Sequence, residues 1–314
     1  MIYLKKYILI LTLLLPIHLF AEDIPSIMDL DSDSNCVIEP GDFDIDYEHV
    51  MIIIDRTTQL AEEQIEWLGD TIFTKKFAQK FPPFTKFSLV FVDDRNIQMQ
   101  ELAYSKCRPK TGKNNTKFGY DKFGSNENSM MVTTRYEDFV KGYKVGNQNQ
   151  IGFEDLKTII GITSDSKNTF LLESVIRVLT DVSLDFSSDD YSKRTLIIAS
   201  DLMQYSNDDN KKIKRLDFYS KCKNKNILAS DRKCPTFEKL LKSDKTIKEY
   251  IDTTKPRDLN DLKIMVKYLN FGHQKSRNID TSLIDLWKGY FEYIGLNMPD
   301  EVQDWVERQL DLAS

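Results

Sequence analysis

Short apolar runs alternate with stretches of helical periodicity along most of the chain after residue 48. Four runs predict buried strands: residues 50–54 (VMIII), 86–92 (KFSLVFV), 194–200 (RTLIIAS) and 262–269 (LKIMVKYL). The first run is apolar on both faces, as a central strand of a parallel sheet is. These runs are therefore expected to form the middle of one sheet.

Apolar residues at helical spacing predict helices between and after these strands. The first is expected to begin at a threonine cap, Thr57 or Thr58, and to reach about residue 72. Further helices are predicted at residues 135–160 (with a break near 146–152), 169–184, 236–251, 282–294 and 299–312. Strands that alternate with helices indicate an α/β fold, here a doubly wound, Rossmann-like and mostly parallel sheet flanked by helices.

The first 21 residues have the pattern of a secretory signal peptide. Two lysines precede an apolar run, and Ala21 is small enough for a cleavage site. An uncleaved membrane anchor is the alternative, although the run is short for a bilayer span. Residues 22–47 are acidic and aperiodic and predict an extended lead-in. The expected domain is then 48–314, with polar insertions at about 103–134 and 205–260.

Charge and cysteine content narrow the class of protein. The net charge is −6, and removal of the two signal-peptide lysines makes it more negative. No basic surface is implied, which disfavours nucleic acid or an anionic membrane as the main partner. The four cysteines all follow residue 21, so an exported chain is expected to form two disulfides. Cys222–Cys234 with Cys36–Cys107 is the favoured pairing, because a short polar segment separates Cys222 from Cys234.

Asp55 and Asp201 each follow an apolar strand directly. If the strands that end at Asp55 and Asp201 are neighbours, their carboxylates could share one hard cation, since neighbouring strands lie about 4.8 Å apart. The hydroxyls of Thr57 and Thr169 could complete the ligand set. Four such oxygens, with water and an incoming acidic group, suit Mg²⁺ or Mn²⁺.

Structural roles for the same residues stay open at the level of sequence. Asp55 could cap the helix after its strand, and Asp201 could form a turn with Ser206. Arg56 could pair with Asp201 or Asp94, which would leave an ion-pair cluster and no metal.

The order of these segments resembles the von Willebrand factor A domain. That family binds a divalent ion through Asp-x-Ser-x-Ser after its first strand, a Thr from a later loop and an Asp at the end of a later strand. DRTTQ (residues 55–59) resembles the first motif, with Gln59 in place of the final Ser. DSKNTFLLESVIRVL (165–179) resembles the segment that carries the Thr, and TLIIASDLMQYS (195–206) the strand that carries the last Asp.

The resemblance implies a function. A chain of this type is expected to be a periplasmic or secreted, non-enzymatic binding or adhesion protein. Its metal ligands would be Asp55, Thr57, Thr169 and Asp201, with Gln59 as a further candidate. The ion would be Mg²⁺, or Mn²⁺ or Ca²⁺, and the partner a protein that presents an acidic residue. The alternatives are an assembly component of an envelope apparatus without metal and, less favoured, a metal-dependent hydrolase.

Overall fold

A computed structural model describes residues 48–57, 59–93, 102–111, 129–145, 148–161, 168–186, 191–206, 216–222, 233–269, 277–296 and 302–304. The strands are β1 (Glu48–Asp55), β2 (Lys86–Val92), β3 (Tyr104–Cys107), β4 (Tyr143–Val145), β5 (Gln148–Gln150), β6 (Lys193–Ser200), β7 (Tyr205–Ser206), β8 (Leu216–Asp217), β9 (Leu262–Tyr268) and β10 (Val302–Asp304). The helices are α1 (Glu62–Thr71), α2 (Lys75–Ala78), α3 (Ser129–Lys141), α4 (Leu156–Ile160), α5 (Leu171–Thr180), α6 (Phe218–Cys222), α7 (Phe237–Ser243), α8 (Lys245–Thr254) and α9 (Arg277–Ile294).

The main sheet has the strand order β10-β9-β6-β1-β2-β3. The pairs from β10 to β2 are parallel, and β3 runs antiparallel to β2 at one edge. The chain extends the sheet in one direction from β1 to β2 and β3, and in the other direction through β6, β9 and β10. The strand order therefore reverses between β1 and β6, and the α/β class expected from the sequence is confirmed.

Helices flank the sheet because side chains of each strand alternate between two apolar cores. Met51 and Ile53 of β1 pack in one core with residues of α5 and α9, such as Leu172 and Trp287. Val50, Ile52 and Ile54 point to the other face, where Trp67 and Leu68 of α1 cover them. Burial on both faces explains why β1 is a continuous apolar run.

Four predicted strands are confirmed to within two residues at each end, whereas three other predictions need correction. Residues 104–107, expected in a polar insertion, form the edge strand β3. The helix expected over 135–160 is interrupted earlier than the predicted break near 146–152, because the hairpin β4–β5 begins at Tyr143. The helix expected at 299–312 is wrong at Val302–Asp304, which form β10 beside β9, and the rest of that range lies outside the described residues.

The first helix starts later than a threonine cap would place it. Ala61 occupies the N-cap position, and the Gln64 side chain accepts a hydrogen bond from the Ala61 amide at 2.9 Å. Thr57 contacts Asp55 instead of a helix, and Thr58 lies outside the described residues. The prediction of a Thr57 cap is therefore wrong, and the described residues between β1 and α1 (56–57 and 59–61) are not helical.

The predicted Cys222–Cys234 disulfide is present, and both sulfurs are buried in the core beside α9. Cys107 is also disulfide-bonded. Its expected partner, Cys36, lies outside the described residues, so the Cys36–Cys107 pairing stays a prediction. The signal peptide and the acidic lead-in also lie outside them. In the part of the chain that the structure describes, no helix has the length and apolar character needed to cross a membrane.

Candidate functional site

The reversal of strand order brings the carboxyl ends of β1 and β6 together. Ile54 pairs with Ala199 in the parallel register, which places Asp55 opposite Ser200. In open α/β sheets, ligands bind beyond the carboxyl ends of the strands at the point where the order reverses. Asp55 and Ser200 lie at that point of this sheet.

The Asp55 carboxylate is held on both oxygens. Its Oδ1 accepts hydrogen bonds from the Thr57 amide at 3.0 Å and from the Thr57 hydroxyl at 2.6 Å. Its Oδ2 accepts one from the Ser200 hydroxyl at 2.9 Å. Only 3% of Asp55 is exposed. The acid therefore does not cap α1; it anchors a cluster of hydroxyls.

Thr169 joins this cluster from a segment more than a hundred residues away. Its Oγ1 lies 2.9 Å from Oγ1 of Thr57. Thr57 uses its single hydroxyl proton on Asp55, so Thr169 is the donor in this contact. The structure thus brings together three of the predicted ligands: Asp55, Thr57 and Thr169.

The segment after β6 is built around the same site. The Ser200 hydroxyl accepts a hydrogen bond from the Leu202 amide at 2.8 Å, and the Leu202 carbonyl accepts one from the Trp287 indole at 2.8 Å. Leu202 has a left-handed backbone with φ of 61°, a conformation that is uncommon for a branched residue. Such strain clusters at functional sites.

Backbone contacts place Thr169 against the segment that follows β6. The Thr169 amide donates to the Tyr205 carbonyl at 2.7 Å, and the Tyr205 amide donates to the Thr169 carbonyl at 3.1 Å. Thr169 is therefore held by an antiparallel bridge just before α5 begins.

Asp201 and Gln59 have different surroundings from the other predicted ligands. Asp201 is half-buried, and its Oδ1 accepts a hydrogen bond from the Met203 amide at 2.9 Å, which closes a turn. At the end of β6, the residue that contacts Asp55 directly is Ser200, one position before Asp201. Gln59 is exposed. Ser200 was not predicted, although the register of two paired strands that end together would have indicated it.

Arg56 and Asp93 form an ion pair beside the cluster. The guanidinium donates to Oδ2 of Asp93 at 3.2 Å and lies 3.7 Å from the centre of the Phe91 ring. The sequence left Asp201 and Asp94 as possible ion-pair partners of Arg56, and the structure shows a pair with Asp93, directly after β2. Asp94 lies outside the described residues.

Burial raises the pKa of the Asp55 carboxyl above its ordinary value, against the opposing effect of the hydrogen bonds from Thr57 and Ser200. An ionised carboxylate at this position is therefore held at a cost in solvation. A bound cation would reduce that cost, because an opposite charge favours the ionised form.

The donor set fits a small, hard cation better than a transition metal. Among the described residues, no three His, Cys, Asp or Glu side chains lie close enough together to hold a metal ion. A cation at this position would depend on hydroxyl oxygens as well as carboxylates. Adjacent ligands of an octahedral ion with bonds of about 2.1 Å are roughly 2.9 Å apart, and Ca²⁺ needs a wider spacing. The Thr57–Thr169 separation of 2.9 Å is that of the hydrogen bond between the two hydroxyls, and it would also allow both oxygens to contact one Mg²⁺.

A second polar cluster lies at the opposite end of β1. Nε2 of His49 is hydrogen-bonded to the Ser88 hydroxyl at 2.9 Å, and Nδ1 is hydrogen-bonded to the Asp185 carbonyl at 3.0 Å. A serine beside this histidine was not predicted from the sequence. Both side chains are buried, and their contacts join β1 to β2 and to Asp185, which follows α5.

No protein-family model matches the sequence, and a comparison with curated proteins finds no match. The resemblance to the von Willebrand factor A domain therefore rests on the sequence motifs alone.

Proposed function

We propose that the chain is an exported binding protein of the von Willebrand factor A type, with a divalent-cation site at the carboxyl ends of β1 and β6. Asp55, Thr57 and Thr169 would hold the cation, and Asp201 would contribute a second negative charge from the following turn. When bound, Mg²⁺ would supply a positive charge to which an acidic group of a partner protein can bind. The function is recognition, with no catalytic step.

One observation carries this proposal: the Thr57 hydroxyl donates to the buried Asp55 carboxylate, and the Thr169 hydroxyl lies 2.9 Å from that of Thr57, where the strand order reverses. Asp55 and Thr57 lie two residues apart, and a local turn accounts for the contact between them. Thr169 comes from a segment 112 residues beyond Thr57, and a local turn does not explain why its hydroxyl lies there. Hydroxyl and carboxylate oxygens are the ligands that Mg²⁺ and Mn²⁺ prefer.

Export is proposed from the amino-terminal pattern together with the disulfide chemistry. Disulfides persist in oxidising compartments such as the periplasm or the extracellular space. The Cys222–Cys234 bond is consistent with such a compartment. A periplasmic or secreted location would also give the site access to protein partners outside the cytoplasm.

The test is a calorimetric titration of Mg²⁺ and Mn²⁺ into the wild-type chain and the Asp55→Asn variant. The wild type should bind one ion per chain, and Asp55→Asn should bind it at least tenfold more weakly because the anchoring charge is lost. Asp70→Asn, an exposed acid on α1, is the matched control and should bind as the wild type does. Saturating Mg²⁺ should raise the melting temperature of the wild type and the control only.

Two results would contradict the proposal. A wild-type chain that binds neither ion at millimolar concentration excludes a functional cation site and favours a metal-free assembly component of the envelope. Equal binding by the wild type and Asp55→Asn places the ion elsewhere on the chain.

A further inference from the structure

We infer that Gln204 is the positioning residue that holds Thr169 in the cation site; this inference rests on the proposed function. Gln204 does not reach the cluster itself. It is fully buried, and it links the segment after β6 to the first turn of α5. Its role would be to fix the distance between the Thr169 hydroxyl and the oxygens of Asp55 and Thr57.

The side-chain amide of Gln204 has a partner at each end. Its Oε1 accepts a hydrogen bond from the Leu172 amide at 2.7 Å, and its Nε2 donates to Oε2 of Glu173 at 2.8 Å. A backbone amide only donates and an ionised carboxylate only accepts, so the orientation of the Gln204 amide is fixed by its surroundings.

These contacts replace a cap that α5 lacks. The first amides of a helix have no partner within the helix, and a polar side chain at the N-cap usually satisfies one of them. The N-cap residue of α5 is Phe170, which has no side-chain acceptor. Gln204 supplies the acceptor from another segment, so the start of α5 is tied to residues 201–205.

The main chain of Gln204 continues the link toward Thr169. The Gln204 carbonyl accepts a hydrogen bond from the Phe218 amide at 3.0 Å, which fixes the residue from a second side. The next residue, Tyr205, makes the two backbone hydrogen bonds with Thr169. Thr169 is thus held between a bridge at Tyr205 and a helix start that Gln204 caps.

A cation site is sensitive to such support. Ligand distances must be correct to about 0.2 Å, and loss of a residue that orients a ligand commonly weakens metal binding 10–100-fold. Without the Gln204 amide, the start of α5 could shift relative to β1, and the Thr57–Thr169 spacing would no longer be fixed. Asp55 and Thr57 would keep their own contacts.

The test exchanges the two partners. Gln204→Met keeps the length of the side chain and removes both hydrogen bonds, and Gln204→Glu places a second carboxylate against Glu173. Both single variants should bind Mn²⁺ at least tenfold more weakly than the wild type in a calorimetric titration. The double variant Gln204→Glu/Glu173→Gln restores an acceptor for Leu172 and a donor–acceptor pair, so its affinity should return to within threefold of wild type.

A control separates positioning from general loss of stability. Asp258→Asn weakens the ion pair with Arg194 (2.9 Å) near the opposite end of β6. It should lower the melting temperature without changing Mn²⁺ affinity. Wild-type affinity in Gln204→Met, an equal loss in Asp258→Asn, or no recovery in the double variant would overturn the inference. A wild-type chain that binds no Mn²⁺ would overturn the proposed function, and the inference with it.

Discussion

The two ends of β1 carry buried ionisable side chains whose pKa values shift for the same main reason. At the carboxyl end, burial raises the pKa of Asp55, so the folded chain retains that proton to a higher pH than the unfolded chain. The stabilising contribution of Asp55 is therefore complete below its ordinary pKa of 3.8 and is lost as pH rises through the folded value. At neutral pH the ion-free protein lacks this contribution to its stability, and a bound cation would offset the loss.

At the amino end, burial and the nearby charge of Lys86 lower the pKa of His49 to about 3. The unfolded chain then binds a proton near pH 6.5 that the folded chain rejects. Stability should fall as pH decreases from about 6.5 to about 3, with a slope of up to roughly 1.4 kcal/mol per pH unit from this group. His49→Asn, which retains a donor for the Asp185 carbonyl, should show a shallower decrease in chemical denaturation between pH 7 and pH 5.

The same variant should be less stable than the wild type at pH 7 by about 1–2 kcal/mol, because the buried Ser88 hydroxyl loses its contact with His49 and keeps only the longer one with Ser105, at 3.3 Å. The two stability curves should therefore meet about one pH unit below 6.5, and the variant should be the more stable protein at lower pH. Parallel curves over the whole range would mean that His49 titrates in the folded protein much as it does in the unfolded chain.

Individual residues of the candidate site differ in how far the sequence could predict them. Asp55 was predictable because an acid directly follows an apolar strand, and Thr57 because its hydroxyl lies two residues further on. Thr169 was predicted because it begins a helix in a segment that resembles the one carrying the Thr in the von Willebrand factor A domain. Ser200 was missed, since a serine at the end of a strand has no distinguishing signal until the register with β1 is known. Gln204 has no local signal at all; its partners lie about thirty residues away.

At the scale of secondary structure elements, the hairpin β4–β5 depends on two glycines that touch. Gly142 has φ of +71°, and a side chain there would meet the Gln150 carbonyl at 2.2 Å. A Cβ on Gly152 would lie 2.1 Å from the Gly142 amide nitrogen and 2.5 Å from the Val140 carbonyl. The end of α3 and the end of β5 therefore approach as closely as two backbones can.

Gly152→Ala should be destabilising by at least about 1–3 kcal/mol, because backbone atoms cannot move aside as a flexible side chain can. Urea denaturation of the variant and the wild type measures this difference.

Gly69→Ala on α1 is the matched control, since its Cβ would meet only the Lys157 side chain, at 3.3 Å. Its stability should stay within about 1 kcal/mol of wild type. A Gly152→Ala variant as stable as this control would contradict the close approach.

Elements were predictable where one local pattern decided them. The apolar runs of β1, β2, β6 and β9 left no other place for a buried strand. The start of α1 was mispredicted because Asp55 competes for the hydroxyl of Thr57, a contact that a capping rule does not consider. The strand β3 was missed because YSKC is short and half polar, and it pairs only through its neighbour β2.

At the scale of the whole molecule, the Cys222–Cys234 disulfide fastens the segment between β8 and α7 onto the core beside α9. Cys234 also donates its amide to the Ser282 hydroxyl at 2.8 Å. The two cysteines are 12 residues apart, and closing a loop of that length contributes about 3 kcal/mol in the chain-entropy model.

The double variant Cys222→Ala/Cys234→Ala should therefore unfold at a lower urea concentration than the wild type, by a margin of about 3 kcal/mol in free energy. Mild reduction of the wild type should shift the transition in the same direction. An unchanged midpoint for the double variant would show that the core alone holds this segment.

The class of the fold was predictable because alternation of strands and helices restricts the topology. The position of the site depended on strand order, which the sequence alone does not provide. Only the observed neighbours of β1 show that Asp55 faces Ser200 across the reversal of order.

The central position of β1 also has a kinetic consequence. β1 can pair with β2 soon after both are available, but its other edge stays open until β6, whose Ser200 lies 145 residues beyond Asp55, is added. Pairing of such distant segments is slow, and an open apolar strand edge is prone to aggregation. Addition of β6 should therefore be the step of folding at which the chain most needs protection. The candidate cation site cannot stabilise any folding intermediate that forms before β6 is added.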